Sequence, residues 1–395
     1  MAAVNLMYDT GARDEDPQHT GLAHLVEHLM FGPSANVPDY TAALSAAGGT
    51  NNAWTNSDYT NFYAVVPAQN LETVLWAESD RMAMPLFTQE TLEVQRKVVV
   101  EEFKQQCLNR PYGDLGHHLL PTLYGSHPYS WPVIGKTPEH ISSVTREVVV
   151  DWVKAHYGPE NAVLSIAGNI DEESTLQMVE KWFGGIPARG IKPRVMPAPE
   201  FPLQDTTVEV TGRVPATAIV TAIPMASYGE REYYAADLLT DILAAGQSSY
   251  MFRNLTLGRS DLFAQADASI SGTVHEGYIA LQAILNVSGP EAEQEARALM
   301  LHQARALADA AAIDSHRLER SLNGFETRFK LANSSYRSVG QALAQAILQN
   351  EDINATVARQ RSFKAEELAA YADKLFNRTP AVTLIYRPEQ NSITV

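Results

Sequence analysis

The sequence predicts an α+β protein built from two related domains, and three observations support this fold class. A proline-rich stretch, residues 184–204, divides the 395-residue chain into halves of similar size. Each half contains strand-like stretches rich in β-branched residues and long helix-like stretches. Each half also ends on the same order of elements, a helix, a turn and a strand, in which residues 162–166 correspond to residues 381–385. Together these observations indicate two copies of one α+β unit.

The proline-rich stretch is interpreted as a linker between the two domains. Five prolines exclude a regular helix or a central strand at this point. These are Pro187, Pro193, Pro197, Pro199 and Pro202. We therefore predict an N-terminal domain over residues 1–186, a linker over residues 187–204 and a C-terminal domain over residues 205–395.

The elements of the N-terminal half follow from local patterns. Residues 4–8 are strand-like, and residues 21–32 have the apolar spacing of an amphipathic helix, for which Thr20 is the expected N-cap. Residues 49–70 begin at a glycine turn and are rich in Thr, Tyr, Phe and Val, which predicts extended chain. Residues 88–109 contain neither Gly nor Pro and begin at a threonine, which predicts a long helix.

The C-terminal half is predicted to open with strands and to continue with helices. Residues 207–212 and 216–224 are strand-like, and residues 230–245 follow them as a helix. Later helices are predicted over residues 290–311 and 363–376.

Composition excludes several classes of function. The formal charge is −16, which argues against nucleic acid as the main partner. No apolar run approaches the roughly 18 residues of a membrane span. The single cysteine, Cys107, cannot form an internal disulfide, and its position in a predicted helix indicates a small buried apolar group. The N-terminus lacks the charged and apolar regions of a secretory signal peptide.

The motif that carries chemistry is His24-x-x-Glu27-His28, in the predicted helix of residues 21–32. Positions four apart lie one above the other on a helix, so both imidazoles face the same side. That spacing suits two ligands of one zinc ion, and Glu27 can act as a general base toward water. The alternative is an ordinary amphipathic helix that carries two histidines by chance.

A catalytic zinc generally needs a third protein ligand. The helix of residues 88–109 offers Glu101 and Glu102, and periodicity alone does not choose between them. Both could also be solvated charges, as most glutamate pairs are. His117 and His118 are a further option, but they follow Pro111 and Gly113 and are interpreted as structural or surface histidines.

The stretch "GLAHLVEHLMF", followed after a long gap by "RKVVVEEFKQ", resembles the M16 metallopeptidases, the inverted zinc-motif (inverzincin) group. Mitochondrial processing peptidase and insulin-degrading enzyme belong to this family, and the length here resembles its bacterial M16B subgroup. "HPYSWPVIGKTPEHI" and "HYGPENAVLSIAGNID" are also typical of the family. The resemblance implies two related domains, each a mainly antiparallel sheet packed with helices, which form half of a clamshell. It further implies a soluble bacterial protein of the periplasm or the cytoplasm.

The resemblance also assigns roles to residues of this chain. His24, His28 and Glu102 would be the zinc ligands, with one Zn²⁺ per chain, and Glu27 the general base. Peptide substrates would add as a strand beside Asn52, Ala53 and Trp54. Pairing through the backbone responds to extended shape more than to sequence.

Two departures from the family pattern affect the expected function. Gln95 stands where the family often has a supporting glutamate. The arginine and tyrosine that bind substrate in active members correspond here to Thr256 and Phe263, with Arg253 and Arg259 nearby. Threonine has no charge to replace that of the arginine, and phenylalanine has no hydroxyl to replace that of the tyrosine. Arg253 and Arg259 would be the substitutes if the register of this comparison is shifted.

These departures suggest that the chain works with a partner. We predict the zinc-bearing catalytic subunit of a heterodimer that hydrolyses unfolded peptides in a closed chamber, in which a homologous subunit supplies the arginine and tyrosine. The alternative is a non-cleaving, zinc-containing subunit that binds peptides or serves as a scaffold.

Overall fold

The computed structural model describes residues 1–192 and 194–389, so Pro193 of the predicted linker lies outside the described residues. The chain divides into two compact units. Unit 1 comprises Met1–Gln105, the described residues of Trp131–Met196, and Lys330–Ile353. Unit 2 comprises Gln106–Ser130, Pro197–Phe329 and the described residues from Asn354 onward.

Unit 1 contains a four-stranded antiparallel sheet with the order β2-β3-β1-β4. Its strands are β1 (Ala2–Tyr8), β2 (Thr50–Thr55), β3 (Thr60–Val66) and β4 (Ala162–Gly168). Strands β2 and β3 form a hairpin in which Thr55 lies opposite Thr60. Strand β2 is an edge strand of this sheet.

Unit 2 contains a five-stranded sheet with the order β5-β9-β6-β8-β7. Its strands are β5 (Thr206–Gly212), β6 (Ala218–Ser227), β7 (Phe263–Ser271), β8 (Glu276–Leu285) and β9 (Val382–Pro388). All of its pairings are antiparallel except the parallel pair of β5 and β9. The expected fold of α+β units with mainly antiparallel sheets is therefore confirmed.

The helices of the first half are α1 (Leu22–Leu29), α2 (Tyr40–Ala46), α3 (Leu71–Ala83), α4 (Gln89–Phe103), α5 (Leu115–Tyr124), α6 (Pro138–Ser142), α7 (Arg146–His156) and α8 (Glu172–Phe183). Those of the second half are α9 (Arg231–Ala244), α10 (Pro290–Ala306), α11 (Ser315–Ala332), α12 (Tyr336–Leu348), α13 (Thr356–Arg361) and α14 (Ala365–Asp373). Helix α4 continues into a π-helical turn over Lys104–Leu108. Within the described part of the chain, no helix has the length and apolar character needed to cross a membrane.

The two units repeat one arrangement of strands. Strands β4, β1, β3 and β2 are neighbours in that order in unit 1, and β9, β6, β8 and β7 are neighbours in the same order in unit 2. The chain also passes through five helices between β3 and β4 and through five between β8 and β9. Helix α1 therefore corresponds to α9, and α4 corresponds to α11. The similarity between residues 162–166 and 381–385 falls on β4 and β9, which occupy equivalent positions in their sheets.

The compact units differ from the continuous segments 1–186 and 205–395 because two helices are exchanged. Helix α12 belongs by sequence to the second half, but it packs against β1 and β4 of unit 1. Helix α5 belongs to the first half and packs against β5 and β9 of unit 2. Gly340 permits the close approach of α12, since a Cβ atom there would lie 2.6 Å from Asn5 Nδ2.

The loop before α1 fixes where that helix begins. Its N-cap is Gly21, whose φ of 87° lies in the left-handed region, so the expected N-cap at Thr20 is wrong by one residue. A Cβ atom on Gly21 would lie 2.8 Å from the Ile134 carbonyl oxygen, which excludes a side chain there. The Thr20 hydroxyl instead accepts a hydrogen bond from the backbone of Lys136 at 2.8 Å. The expected cap of α4 is confirmed, because the Thr88 side chain accepts from the Thr91 N–H.

Candidate metal centre

Helix α1 carries the His-x-x-Glu-His motif on the side opposite its most buried residues. Leu22, Leu25, Val26 and Leu29 are at most 3% exposed and anchor the helix in unit 1. The side chains of His24 and His28 remain 14% and 26% exposed. The 3.6-residue period therefore separates an anchoring face from a face that can bind a ligand.

The two imidazoles and the Glu102 carboxylate of α4 converge on one point. His24 Nε2 lies 3.3 Å from His28 Nε2. Glu102 Oε2 lies 3.7 Å from His24 Nε2 and 3.5 Å from His28 Nε2. Among the described residues, these three form the one group of His, Cys, Asp or Glu side chains arranged to hold a metal ion.

The structure places the candidates for the third ligand differently: Glu102 lies beside the histidines, and the others do not. Glu101 points away from α1, is 57% exposed in its side chain and pairs with Lys104 at 3.4 Å. His118 pairs with Asp114 within the α5 region, which belongs to unit 2. One residue along a helix changes the direction of a side chain by about 100°. This rotation explains why Glu102 meets the histidines and Glu101 does not.

The protonation of His24 suits a metal ligand. Burial of the ring, and to a smaller extent the adjacent His28, lowers the pKa of His24 to about 4. The ring is therefore neutral near pH 7, and zinc binds neutral imidazole nitrogen. Two imidazole nitrogens and one carboxylate oxygen converge here, and each has a lone pair that a divalent cation could bind.

Glu27 lies beside this group and is 8% exposed. Burial raises the pKa of Glu27 to about 7, the hydrogen bond from Thr55 opposes this rise, and the Glu102 carboxylate adds to it. The Thr55 hydroxyl donates to Glu27 Oε2 at 2.6 Å. A carboxylate whose pKa lies near neutrality can both accept and release a proton.

Glu15 is a residue of the site that sequence reasoning missed. Its buried carboxylate accepts the N–H groups of Gly21 at 3.0 Å and Ala23 at 2.9 Å, at the start of α1. The indole N–H of Trp131 donates to the same carboxylate at 3.0 Å. Glu15 thus fixes the N-terminus of the motif-bearing helix. Six residues separate it from Gly21, so no capping pattern reveals it.

Strand β2 runs along the sheet edge near this group, and the expected substrate residues lie on it. Asn52, Ala53 and Trp54 pair with Tyr63, Phe62 and Asn61 of β3. The Ala53 N–H donates to the Asn52 side chain at 2.9 Å. The contact of these residues with substrate stays a prediction. Thr55, which contacts Glu27, directly follows them and was missed in the sequence.

The departures from the family pattern have structural counterparts. Gln95 lies on α4 but outside the group of His24, His28 and Glu102. Phe263 begins β7 and is 1% exposed in the apolar core of unit 2. The Thr256 hydroxyl accepts the N–H of Ala266, a residue of edge strand β7, at 3.0 Å.

The two arginines near these positions differ in their surroundings. Arg259 forms ion pairs with Asp261 at 2.9 Å and with Glu295 at 2.8 Å. Arg253 is exposed on the π-helical segment Phe252–Leu257. Thr256 carries no positive charge, Phe263 carries no hydroxyl, and Arg259 is already held by two carboxylates.

The chain contains two repeated α+β units with mainly antiparallel sheets. One unit bears a His-x-x-Glu-His helix beside a glutamate on a second helix. These features are typical of the class of inverted-motif metallopeptidases. Two family models match this chain. "Insulinase (Peptidase family M16)" matches residues 1–136, and "Peptidase M16 inactive domain" matches residues 143–325. The chain belongs to the M16 peptidase family.

Individual relatives are consistent with this family. The chain is 29% identical over 286 residues to an uncharacterized zinc protease of Mycobacterium bovis, a match that covers 68% of this chain and 64% of that protein. It is 24% identical over 397 residues to the zinc protease PqqE of Helicobacter pylori, covering 98% of this chain and 87% of that protein. The match to the mycobacterial relative thus spans less than two thirds of that relative's length.

The fold is also similar to solved structures. The crystal structure of a protease from Helicobacter pylori superimposes with a TM-score of 0.87 at 23% sequence identity, covering 98% of this chain and 94% of that chain. At this identity the similarity shows the fold.

Proposed function

We propose that this chain is a zinc-dependent endopeptidase or oligopeptidase, and that it is the zinc-bearing subunit of an enzyme that hydrolyses unfolded peptides in a closed chamber. The observation that carries the proposal is the convergence of His24, His28 and Glu102 within 4.8 Å, with Glu27 on the same helix. Its relatives named as zinc proteases support the choice of metal.

The residues of the chain would divide the chemistry among them. His24, His28 and Glu102 would hold the zinc ion, which supplies a Lewis acid for the peptide carbonyl and makes a water molecule more acidic. Glu27 accepts a proton from the attacking water through Oε1, since Oε2 is engaged by Thr55. As the peptide C–N bond breaks, Glu27 returns that proton to the amine nitrogen.

A partner subunit would complete the enzyme. The positions expected to hold the substrate-binding arginine and tyrosine contain Thr256 and Phe263, and Phe263 is buried in the core of unit 2. We therefore propose that a homologous subunit supplies both side chains and that the two subunits form a heterodimer. Edge strand β2, through Asn52, Ala53 and Trp54, would pair with the backbone of an extended peptide.

A second candidate function is favoured by the same departures. A zinc-containing subunit without the arginine and tyrosine could bind peptides or serve as a scaffold without cleaving them. The match of residues 143–325 to a domain described as inactive is consistent with this alternative.

One set of measurements tests both candidates. We would measure zinc content, and both binding and cleavage of an internally quenched unfolded peptide, for the wild type, His24→Ala and Glu27→Gln. Each would be assayed alone and mixed with a homologous subunit that carries the arginine and tyrosine. We expect one zinc per wild-type chain, loss of zinc in His24→Ala, and retained zinc without turnover in Glu27→Gln.

The outcomes separate the candidates. Cleavage only in the mixture supports the heterodimeric enzyme, and full cleavage by the isolated chain at nanomolar concentration contradicts the need for a partner. Stoichiometric zinc and peptide binding without cleavage in either assay support the non-cleaving subunit. A wild type that binds no zinc contradicts both.

A further inference from the structure

We propose that Thr55 is a positioning residue for the general base Glu27, an inference that rests on the proposed peptidase function. Thr55 is the last residue of edge strand β2, and its hydroxyl contacts Glu27 of helix α1. It would select which carboxylate oxygen faces the metal centre.

The hydrogen bond from Thr55 to Glu27 is short, and among the described residues the only other acceptor for the Thr55 hydroxyl, Thr60 Oγ1, is more distant. Thr55 Oγ1 donates to Glu27 Oε2 at 2.6 Å, within the range of hydrogen bonds from a hydroxyl to an ionised carboxylate. Within the described part of the chain, the Glu27 carboxylate accepts no other hydrogen bond from a side chain or from the backbone. Oε1 is thus the oxygen left to act on water. A buried carboxylate with one donor owes its orientation to that donor.

Neighbouring groups fix the direction in which the Thr55 proton points. The Thr60 hydroxyl, which lies opposite Thr55 in the β2–β3 hairpin, donates to the Thr10 carbonyl at 3.0 Å. Its single proton is therefore engaged, and it presents only lone pairs to Thr55 Oγ1 at 3.4 Å. The Glu27 carboxylate at 2.6 Å is the nearer acceptor, so the Thr55 proton is directed to it.

The backbone of β2 makes this arrangement rigid. Thr55 is β-branched, which restricts its χ1 angle, and it is held by pairing with β3. The Thr10 carbonyl, which accepts the hydrogen bond from Thr60, is also held in place because Thr10 and Thr60 are both fully buried. Because Glu102 places a like charge near Glu27, loss of the Thr55 donor would allow the Glu27 side chain to turn away.

The test compares Thr55→Val, which removes the hydroxyl at nearly constant volume, with Thr55→Ser, which retains it. Thr41→Val, an exposed substitution on α2, is the matched control. In the active assembly we expect Thr55→Val to lower kcat by about tenfold to a hundredfold, the scale of a misplaced catalytic group. KM and zinc content should stay unchanged, and Thr55→Ser should recover most of kcat.

A crystal structure of each variant provides a readout that does not depend on turnover. We expect the Glu27 carboxylate to occupy the wild-type position in Thr55→Ser and to rotate in Thr55→Val. An unchanged Glu27 in Thr55→Val, or kcat equal to that of Thr41→Val, would overturn the inference. Loss of zinc together with activity in Thr55→Val would also overturn it, because the residue would then support the metal centre as a whole.

Failure of the proposed function would look different. A wild type that neither binds zinc nor cleaves peptide contradicts the function, while the Glu27 position in the wild-type and Thr55→Val crystals still decides whether Thr55 orients that carboxylate.

Discussion

The equivalent helix pairs of the two units, α1 with α4 and α9 with α11, have the same position in the fold but carry side chains of different charge. In unit 1, α1 presents His24 and His28 four residues apart, and α4 presents Glu102. In unit 2, the corresponding α9 presents Asp237 and Asp241 four residues apart, and α11 presents Arg328.

The difference lies in how charge is balanced. The Arg328 guanidinium donates to the Asp241 carboxylate, so the unit 2 pair contains its own cation. In unit 1, two imidazole nitrogens and a carboxylate oxygen face one another at 3.3 to 3.7 Å. The repeated fold thus supplies equivalent positions in the two units, and three side chains at those positions determine the charge of the group.

The largest expected effect comes from removing the third member of each group. Glu102→Ala should lose stoichiometric zinc and should lower peptidase activity on the order of a thousandfold or more, because the Lewis acid and the activated water are lost with the metal. Arg328→Ala should leave zinc content unchanged, because its unit holds no metal ligands in this group. Metal analysis and peptide cleavage check both, and zinc loss in Arg328→Ala would break the comparison.

A smaller effect should distinguish the starts of the two equivalent helices. Glu15→Ala would leave the buried N–H groups of Gly21 and Ala23 without this acceptor, while the Trp131 indole N–H would keep its contact with the Ala12 carbonyl at 3.2 Å. We expect a loss of about 2–4 kcal/mol in the free energy of unfolding. At the start of α9, the exposed Glu230 accepts the Ser227 N–H at 3.2 Å, so Glu230→Ala should cost less than about 1 kcal/mol.

Denaturant titrations of both variants measure these losses. Equal decreases in the free energy of unfolding for Glu15→Ala and Glu230→Ala would contradict a stronger stabilisation of α1 by Glu15 than of α9 by Glu230. Glu15→Gln, which keeps one accepting oxygen, should fall between the wild type and Glu15→Ala.

The smallest effect concerns Asp237 of unit 2, because the hydrogen bond from Arg328 goes to the neighbouring Asp241. Burial, and then the adjacent Asp241, raises the pKa of Asp237 to about 6, while Arg328 opposes the rise. The folded protein thus retains a proton that the unfolded chain releases between pH 4 and pH 6, so this group lowers stability as the pH rises through that range. Tyr233 is a further titratable group that faces Asp237.

Asp237→Asn should therefore stabilise the protein by about 1–2 kcal/mol above pH 6, and the gain should vanish below about pH 4. Unfolding free energies measured from pH 4 to pH 8 check this expectation. A gain that is the same at every pH would show that ionisation of Asp237 is not its cause.

Much of the fold and two of the three members of the metal group could be predicted from local patterns in the sequence. The positions of His24, Glu27 and His28 follow from local helical geometry, since residues three and four apart share a face. The strands, the cap at Thr88 and the correspondence of residues 162–166 with 381–385 likewise depend on short-range patterns. These features required no knowledge of how distant segments meet.

Only the tertiary structure decided the rest. Periodicity leaves Glu101 and Glu102 equivalent, and only the resemblance to the M16 family names Glu102. The orientation of α4 against α1 brings the Glu102 carboxylate beside the two histidines. Thr55 and Glu15 reach α1 from other segments of the chain, through contacts that local patterns do not encode. The exchange of α5 and α12 between the units depends on which sheet face each helix covers, and that packing is set by shape and burial across hundreds of residues.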